Sequence, residues 1–515
     1  MKPEKPILKE AEKWLEEANQ IAKKGKYTAA IEALQKAIPI FEAHKEWEKC
    51  VISLGKWSEY LARSGQIEAT IEKGLEALAF SREKLGELSQ RTANCLSNLG
   101  IGYKNKGDYE KALTYYHKAS KIILQFEDNS SILANIYNNL GIVYEDLGDY
   151  DQAIDYHEQS LAMSLHLFGE LHPRTASSLN NLGSVYSGKG DIEKSIDYHE
   201  RSLKIKLQTL GEMHPSTANS FHNLGIRFWS KGDYKKTIDY YHKSLHIRLQ
   251  LFGKMHPNTA TSLNTLGVVH HTKEEFDTAI DYYEQSLKIR LEVLGNVHPD
   301  VGDSFNNLGA VYLEKGDADK AIEYHQKSLD IRLQVVGKTH FQTAKNLNNL
   351  GVAYGAKGNI EKSIDYLNQA LSIYLQTLRN THPITANNYL ELAKVFSRKN
   401  EFQTALKHYQ LALKSLCPDF TAINPYTNPP LSNCLSYPAL LNVLKSKAHT
   451  FYLQYLHTTH NSKDLLAASQ TYHFATQVVT HIRQSYQSEG SKFTLAQKAT
   501  EIYDHAIEVA LKVAQ

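Results

Sequence analysis

The sequence predicts an all-α fold, a repeat array of about ten helical hairpins followed by a short helical element. Three observations predict it. A Leu-Gly pair at Leu140-Gly141 recurs at Leu182-Gly183, Leu224-Gly225, Leu266-Gly267, Leu308-Gly309 and Leu350-Gly351, in steps of 42 residues. A His-Pro pair keeps the same beat at His172-Pro173, His214-Pro215, His256-Pro257 and His298-Pro299. Within each unit the apolar residues fall at three- and four-residue spacing, the mark of a helix with one buried face. A fixed period of this length indicates supersecondary units that bury their faces by stacking on their neighbours.

The stretch from His172 to Met213 shows how one unit is built. Pro173 opens the first helix, where a missing N–H costs nothing. Leu179, Leu182, Val185 and Tyr186 form its apolar face, and Gly190 ends it because glycine enters the left-handed region freely. Asp191 is placed to cap a second helix carrying Ile192, Ile196, Tyr198, Leu203, Ile205 and Leu207, which stops at Gly211. Gly183, Ser195 and Ser202 supply small side chains where the two helices approach.

The glycine between the two helices serves as a ruler along the chain. Gly25, Gly65, Gly107, Gly148, Gly190 and Gly232, then Glu274, Gly316, Gly358 and Asn400, mark ten hairpins over residues 7–416. Trp14, Ala18, Ile21, Tyr27, Ala30, Leu34 and Ala37 set out the first hairpin, and the second departs from the pattern with Thr70 and Gly74. Divergence at one end suits a cap whose outer face meets water. Glu274-Glu275 replaces Gly-Asp, and His340-Phe341 replaces His-Pro; each is either a local bend or drift. Residues 417–438 carry five prolines and no helical period, so they read as a linker or an ordered extended loop. Over 439–515 three amphipathic segments, near 438–457, 463–486 and 492–513, lack the Leu-Gly beat and form a different helical element.

These residues resemble the tetratricopeptide repeat (TPR). Its pattern fits Leu99-Gly100, Tyr103, Ala112, Tyr116 and Ala119, and again Leu140-Gly141, Tyr144, Ala153, His157 and Ser160. The longer period and the HPxTAxxLNNLG opening look like the kinesin light chain subclass. The resemblance covers about four-fifths of the chain. It implies a right-handed superhelical solenoid whose first helices line a concave groove, and a non-catalytic scaffold that holds a partner protein or an extended peptide there. In the tail, LLNVLKSKAHTFYLQY and HIRQSYQSEGSKFTLAQKATEIYDHAIEVAL resemble the connector of bacterial TPR–CHAT proteins, in which a caspase-like peptidase domain with a His/Cys dyad follows. That resemblance implies an alternative function, the regulatory or sensor arm of a CHAT-type peptidase system. The chain reaches Gln515 without a segment matching the peptidase, so no catalytic residue carries over.

Composition excludes several classes. Lys+Arg 58 against Asp+Glu 56 leaves a formal charge of +2, without the basic excess that nucleic-acid binding uses. The first residues hold no apolar signal-peptide core, and no run of 18 apolar residues occurs, so neither export nor a membrane span is predicted and the expected location is cytoplasmic. Cys50, Cys95, Cys417 and Cys434 are scattered with no CxxC pair and read as reduced thiols.

Two columns of side chains are candidate binding groups. Asn98, Asn139, Asn181, Asn223, Asn307 and Asn349 precede the Leu of the Leu-Gly pair, and Asn138, Asn180, Asn264, Asn306 and Asn348 stand one residue earlier. On first helices they would present donors and acceptors to the backbone of an extended peptide. Equally, they would bond between hairpins and hold the array in register. Lys206, Arg248, Arg290 and Arg332 repeat on second helices; they would meet an acidic partner or form a solvated face paired with nearby carboxylates. The histidines follow the repeat, as at His157 and His199, and read as structural; His270-His271 are neighbours that point apart and do not suggest a metal site. Tyr116, Tyr156, Tyr198, Tyr240, Tyr282, Tyr324 and Tyr366 read as core packing between hairpins. No phosphate loop, dinucleotide fingerprint or paired catalytic carboxylates appear, so no catalytic residue, metal or cofactor is predicted. The repeat assigns Leu224 and Leu266 to the core, and replacing either by Ala is expected to cost about 2–5 kcal/mol. A loss under about 0.5 kcal/mol in chemical denaturation would remove them from it.

Overall fold

A computed structural model of the chain describes residues 4–23, 27–126, 130–378, 380–485 and 489–514, all helix, turn or loop with no strand among them. Gly25 of the loop series and residues 1–3 lie outside the described residues. The chain divides into two compact units, Met1–Arg227 and Phe228–Gln515. The first contains the helix pairs Glu4–Lys23 with Tyr27–Ala43, Trp47–Arg63 with Ile67–Leu85, Gln90–Lys106 with Tyr109–Ile123, Ser130–Asp146 with Tyr150–Phe168, and Pro173–Lys189 with Ile192–Leu210; it ends inside helix Pro215–Ser230. The second continues with Tyr234–Phe252, then Pro257–Thr272 with Phe276–Leu294, Pro299–Glu314 with Ala318–Val335, Phe341–Ala356 with Ile360–Thr377, and Pro383–Arg398 with Phe402–Leu416. No helix of the described residues is long and apolar enough to cross a membrane.

The recurring sequence motif has a local mechanism at each junction between hairpins. Gly169 ends a second helix at φ 79°, ψ 179°, a backbone region that essentially glycine alone occupies. Three residues later His172 caps the next helix, its Nδ1 accepting from the Arg174 N–H at 3.1 Å, and Pro173 fills the first helical position. Thr175 then donates its hydroxyl to the Gly169 carbonyl at 2.8 Å and closes the loop. The same bonds recur at His256, Thr259 and Gly253. At His340-Phe341 the imidazole still caps Gln342 at 3.1 Å, so the histidine does this work without the proline. Glu274 takes the left-handed conformation of the glycine it replaces, at φ 62°, and helix Phe276–Leu294 follows as in the other hairpins.

Inside a hairpin the two helices meet at the Leu-Gly pair. A Cβ on Gly183 would sit 2.9 Å from the His199 ring, which is why the glycine recurs opposite a bulky side chain. That facing position holds Tyr116, His157 and His199 in the first unit and Tyr283, His325 and Leu367 in the second, all buried. Tyr156, Tyr198, Tyr324 and Tyr366 form a different column, to which Tyr116 does not belong. Each stacks on an aromatic of its own hairpin, as Tyr198 does on Tyr186 at 5.4 Å, and the column also reaches the preceding hairpin, where Tyr156 meets His117 at 6.3 Å and Tyr198 packs with Ala153 and Ile154.

Beyond Leu416 the chain is ordered as a loop and then as helices Tyr437–Gln454, Ser462–Ser485 and Glu489–Ala514, with a π turn at Tyr455–Thr459. Lys447, fully buried, holds the loop by donating to the Thr427 carbonyl at 2.8 Å, Asn428 Oδ1 at 3.1 Å and Gln410 Oε1 at 3.1 Å. Cys417 and Cys434 are joined in a disulfide, which corrects the reading of four reduced thiols; Cys50 and Cys95 remain free and buried. The loop folds back so that the Leu435 N–H reaches the Leu416 carbonyl at 2.8 Å, and this return brings the two cysteines together.

Burial holds His157, His199 and His325 down to about 4, with Arg227 and Lys206 adding to the effect on His199. An unfolded chain protonates these rings as pH falls through about 6.5, and the folded chain does not until about 4. Their contribution is therefore complete above pH 6.5 and is lost as pH falls toward 4, by up to about 3 kcal/mol per ring. The melting temperature is expected to drop between pH 7 and pH 5, and a chain carrying His157→Tyr, His199→Tyr and His325→Tyr should drop less. An equal drop in the triple variant would show that other groups set the acid limit.

Candidate functional site

The asparagines lie on first helices, and the structure brings the two columns together. In the first unit Asn181 Nδ2 donates to Asn138 Oδ1, and Asn223 Nδ2 donates to Asn180 Oδ1 at 2.9 Å. In the second unit Asn307 donates to Asn264 at 3.0 Å and Asn349 to Asn306 at 2.8 Å. Asn348 accepts from Asn388 at 2.9 Å. The first four pairs are separated by 43 residues, one more than the period, so the later column of one hairpin meets the earlier column of the hairpin before it. Adjacent first helices are thus tied by amide–amide bonds.

The pairing fails at the start of the ladder. The residue 43 before Asn98 is Gly55, and the Asn98 amide reaches that carbonyl only at 3.5 Å, the outer limit of a hydrogen bond. The residue 43 before Asn139 is Leu96, which has no amide to offer. Asn98 and Asn139 instead line a cavity of about 360 Å³ between helices Trp47–Arg63, Gln90–Lys106 and Ser130–Asp146. Asn94 and Asn135, which the sequence reading did not single out, face the same space, with Lys56 and Arg91 at its edge and Ile52, Ile101 and Ile132 between. Glu59 lines it too, and Arg91 also pairs with Glu48 at 3.4 Å; four amides, charges of both signs and apolar side chains along three successive first helices can accept a polar backbone together with its side chains. Cys95 also lines this cavity, but burial pushes its thiol up to about 12, so it is no nucleophile near neutral pH.

The cationic column is the main correction to the sequence reading. Lys206, Arg248, Arg290 and Arg332 are 5–8% exposed, and they form neither a solvated face nor a surface for an acidic partner. Lys206 donates to Ser220 at 2.8 Å, Arg248 to Ser262 at 2.7 Å and Arg290 to Ser304 at 2.8 Å, each a hydroxyl 14 residues on in the next first helix. Arg248 and Arg290 also reach the carbonyls of Asn258 at 3.2 Å and Asp300 at 2.9 Å. Arg332, where Asn346 takes the serine position, turns to Asp303. The aliphatic stems run along the seam between hairpins and the heads are bonded inside it. Burial lowers the Lys206 ammonium to about 8 and shifts Arg248 and Arg290 downward as well. The serine column at Ser220, Ser262 and Ser304 was the signal in the sequence that identifies this role.

The tetratricopeptide repeat model matches residues 132–208, 174–236, 216–292, 300–376 and 358–417, and a second tetratricopeptide repeat model matches 93–123. No curated protein matches the chain. Among solved structures, the kinesin light chain TPR-like repeats of Podosopora anserina are 22% identical over 40% of this chain and 99% of theirs, with a TM-score of 0.36. BtubC (BKLC) from P. vanneervenii is 21% identical over 53% of this chain and 91% of its own, with a TM-score of 0.30. The apo quorum sensor NprR from B. thuringiensis is 15% identical over 72% and 99%, with a TM-score of 0.48.

Replacing Arg290 by Met keeps the stem in the seam and removes the bonded charge. The expected loss is about 1.5–3 kcal/mol, the scale of a hydrogen bond to a charged group. Chemical denaturation checks this, and a variant as stable as the parent would show that the seam gains nothing from the charge.

Proposed function

The chain belongs to the tetratricopeptide repeat family, and on that premise we propose that it is a non-catalytic binding scaffold that holds an extended peptide segment of a partner protein. The observation that carries this reading is the cavity along the first helices of the second, third and fourth hairpins, where Asn94, Asn98, Asn135 and Asn139 are not spent on one another. A peptide backbone offers alternating N–H and C=O groups, and a primary amide satisfies both. Ile52, Ile101 and Ile132 take apolar side chains, and Lys56, Arg91 and Glu59 admit charged residues of either sign. Within the ladder the roles divide: Asn180, Asn181, Asn223, Asn264, Asn306, Asn307, Asn348 and Asn349 hold register, and Asn98 and Asn139 meet the ligand.

A narrower version makes the array the sensor arm of a CHAT-type peptidase in the bacterial cytoplasm. It rests on the sequence resemblance of 439–515 to the TPR–CHAT connector, and co-purification with a CHAT-domain protease tests it.

The broader proposal is tested by panning a displayed random-peptide library on the intact chain. Enriched peptides should lose at least tenfold in affinity when Asn94, Asn98 and Asn139 are changed together to Ala, since three lost hydrogen bonds are worth about 1.5–4.5 kcal/mol. The same peptides should bind a variant carrying Asn307→Ala and Asn349→Ala as tightly as the parent, while that variant melts at a lower temperature. Full affinity in a folded Asn94/Asn98/Asn139 variant would place the peptide elsewhere.

A further inference from the structure

We propose that a second cavity, between the last repeat hairpin and the C-terminal helices, binds a small molecule bearing a compact oxyanion, a carboxylate or a phosphate. The cavity has a volume of about 350 Å³, within the range of small-molecule sites. It is lined from five helices: Pro383–Arg398, Phe402–Leu416, Tyr437–Gln454, Ser462–Ser485 and Glu489–Ala514. Its wall holds Lys394, Arg398 and Lys445, the imidazoles of His449 and His505, and the carboxylate of Glu501.

The pairing of these charges selects the ligand. Lys445 is bonded to Glu501, and Lys394 to Glu391 at 2.7 Å. Arg398 has no carboxylate among the described residues; it spends one Nη1–H on the Gly355 carbonyl at 3.2 Å. The rest of its planar fork is available, and that geometry fits the two oxygens of a carboxylate or phosphate. His505 donates Nδ1–H to the Glu501 carbonyl at 2.7 Å, which fixes the ring against its own helix and leaves Nε2 as its second polar atom. Behind these groups lie buried hydroxyls, with Thr450 Oγ1 at 3.1 Å from Ser397 Oγ and 3.3 Å from the Tyr409 hydroxyl, able to turn their protons toward an added acceptor.

Because the repeat hairpin and the C-terminal helices each supply cations, a bound anion clamps the two together. The site shares no residue with the asparagine cavity, so either can fail alone.

Titrating the full chain with inorganic phosphate and, separately, with succinate tests the proposal and distinguishes the two sources of oxyanion. One of them should give saturable binding at one site, with shifts in the ring proton signals of His449 and His505. Arg398→Gln should weaken that binding at least tenfold. Glu501→Gln, which removes the competing carboxylate and releases Lys445, should tighten it severalfold, and this gain does not depend on a variant losing structure. Absence of any shift in the two histidine rings with either anion at millimolar concentration overturns the proposal. So does binding that Glu501→Gln leaves unchanged, or that a folded Arg398→Gln chain retains in full.

Discussion

Arg290 carries its charge into the seam between two hairpins, where the Ser304 hydroxyl and the Asp300 carbonyl receive it. A pair of helices cannot bury both its apolar faces alone, so the seam is where such an array gains its stability. A charge placed there must be bonded, or the seam opens. The chain meets this condition by spacing: Lys206, Arg248 and Arg290 each find a partner in the following first helix. Where Ser164 stands in the cation's position, it meets Ser178 at 3.2 Å, and two hydroxyls fill the same place. At Arg332 the serine has become Asn346, and the guanidinium bonds Asp303 instead while Asn346 donates to Ser328. Either side of the seam can change provided that the other finds a partner.

The same constraint explains which parts of the fold were legible in the sequence. Hairpins, their turns and their boundaries follow from glycine, proline and apolar spacing, all of which act within a few residues. The histidine before proline was legible as a beat but not as a cap, since its Nδ1 bond to the second following N–H leaves no further mark in the sequence. The cationic column was misread because periodicity reports that a face exists and not what covers it. Lysine and arginine default to solvent in such a reading, and their stems are long enough to be buried along a seam. The partner serines were visible all the while, 14 residues on. Cys417 and Cys434 sit in a segment without helical period, and nothing in such a stretch says that its ends return to one another.

The asparagines separate two jobs that one residue type can do. Amides at a spacing of 43 meet across neighbouring helices, a consequence of the 42-residue period combined with the one-residue offset between the columns. Such bonds are individually small, about 0.5–1.5 kcal/mol each, and act by fixing how one hairpin sits on the next. A ladder that is complete has little left to offer a ligand. Reading every asparagine of the column as a contact therefore overcounts the site, and reading every one as structural misses it.

In a repeat array each unit is the partner of its own copy, so polar groups that recur with the period tend to satisfy one another and disappear into the scaffold. Groups left for a ligand collect where the copying breaks. Gly55 and Leu96 break it at one end of the array by withholding the amides that Asn98 and Asn139 would otherwise meet, and a cavity stands there. The helices after the disulfide loop break it at the other, because Lys445, His449 and His505 have no counterparts in the repeats, and a second cavity stands there. Both cavities are also bordered by cations, Lys56 and Arg91 in one and Lys394 and Arg398 in the other, whereas the cations that keep the period are sealed inside the seam. In this chain, departure from the repeat marks binding groups more sharply than membership of it.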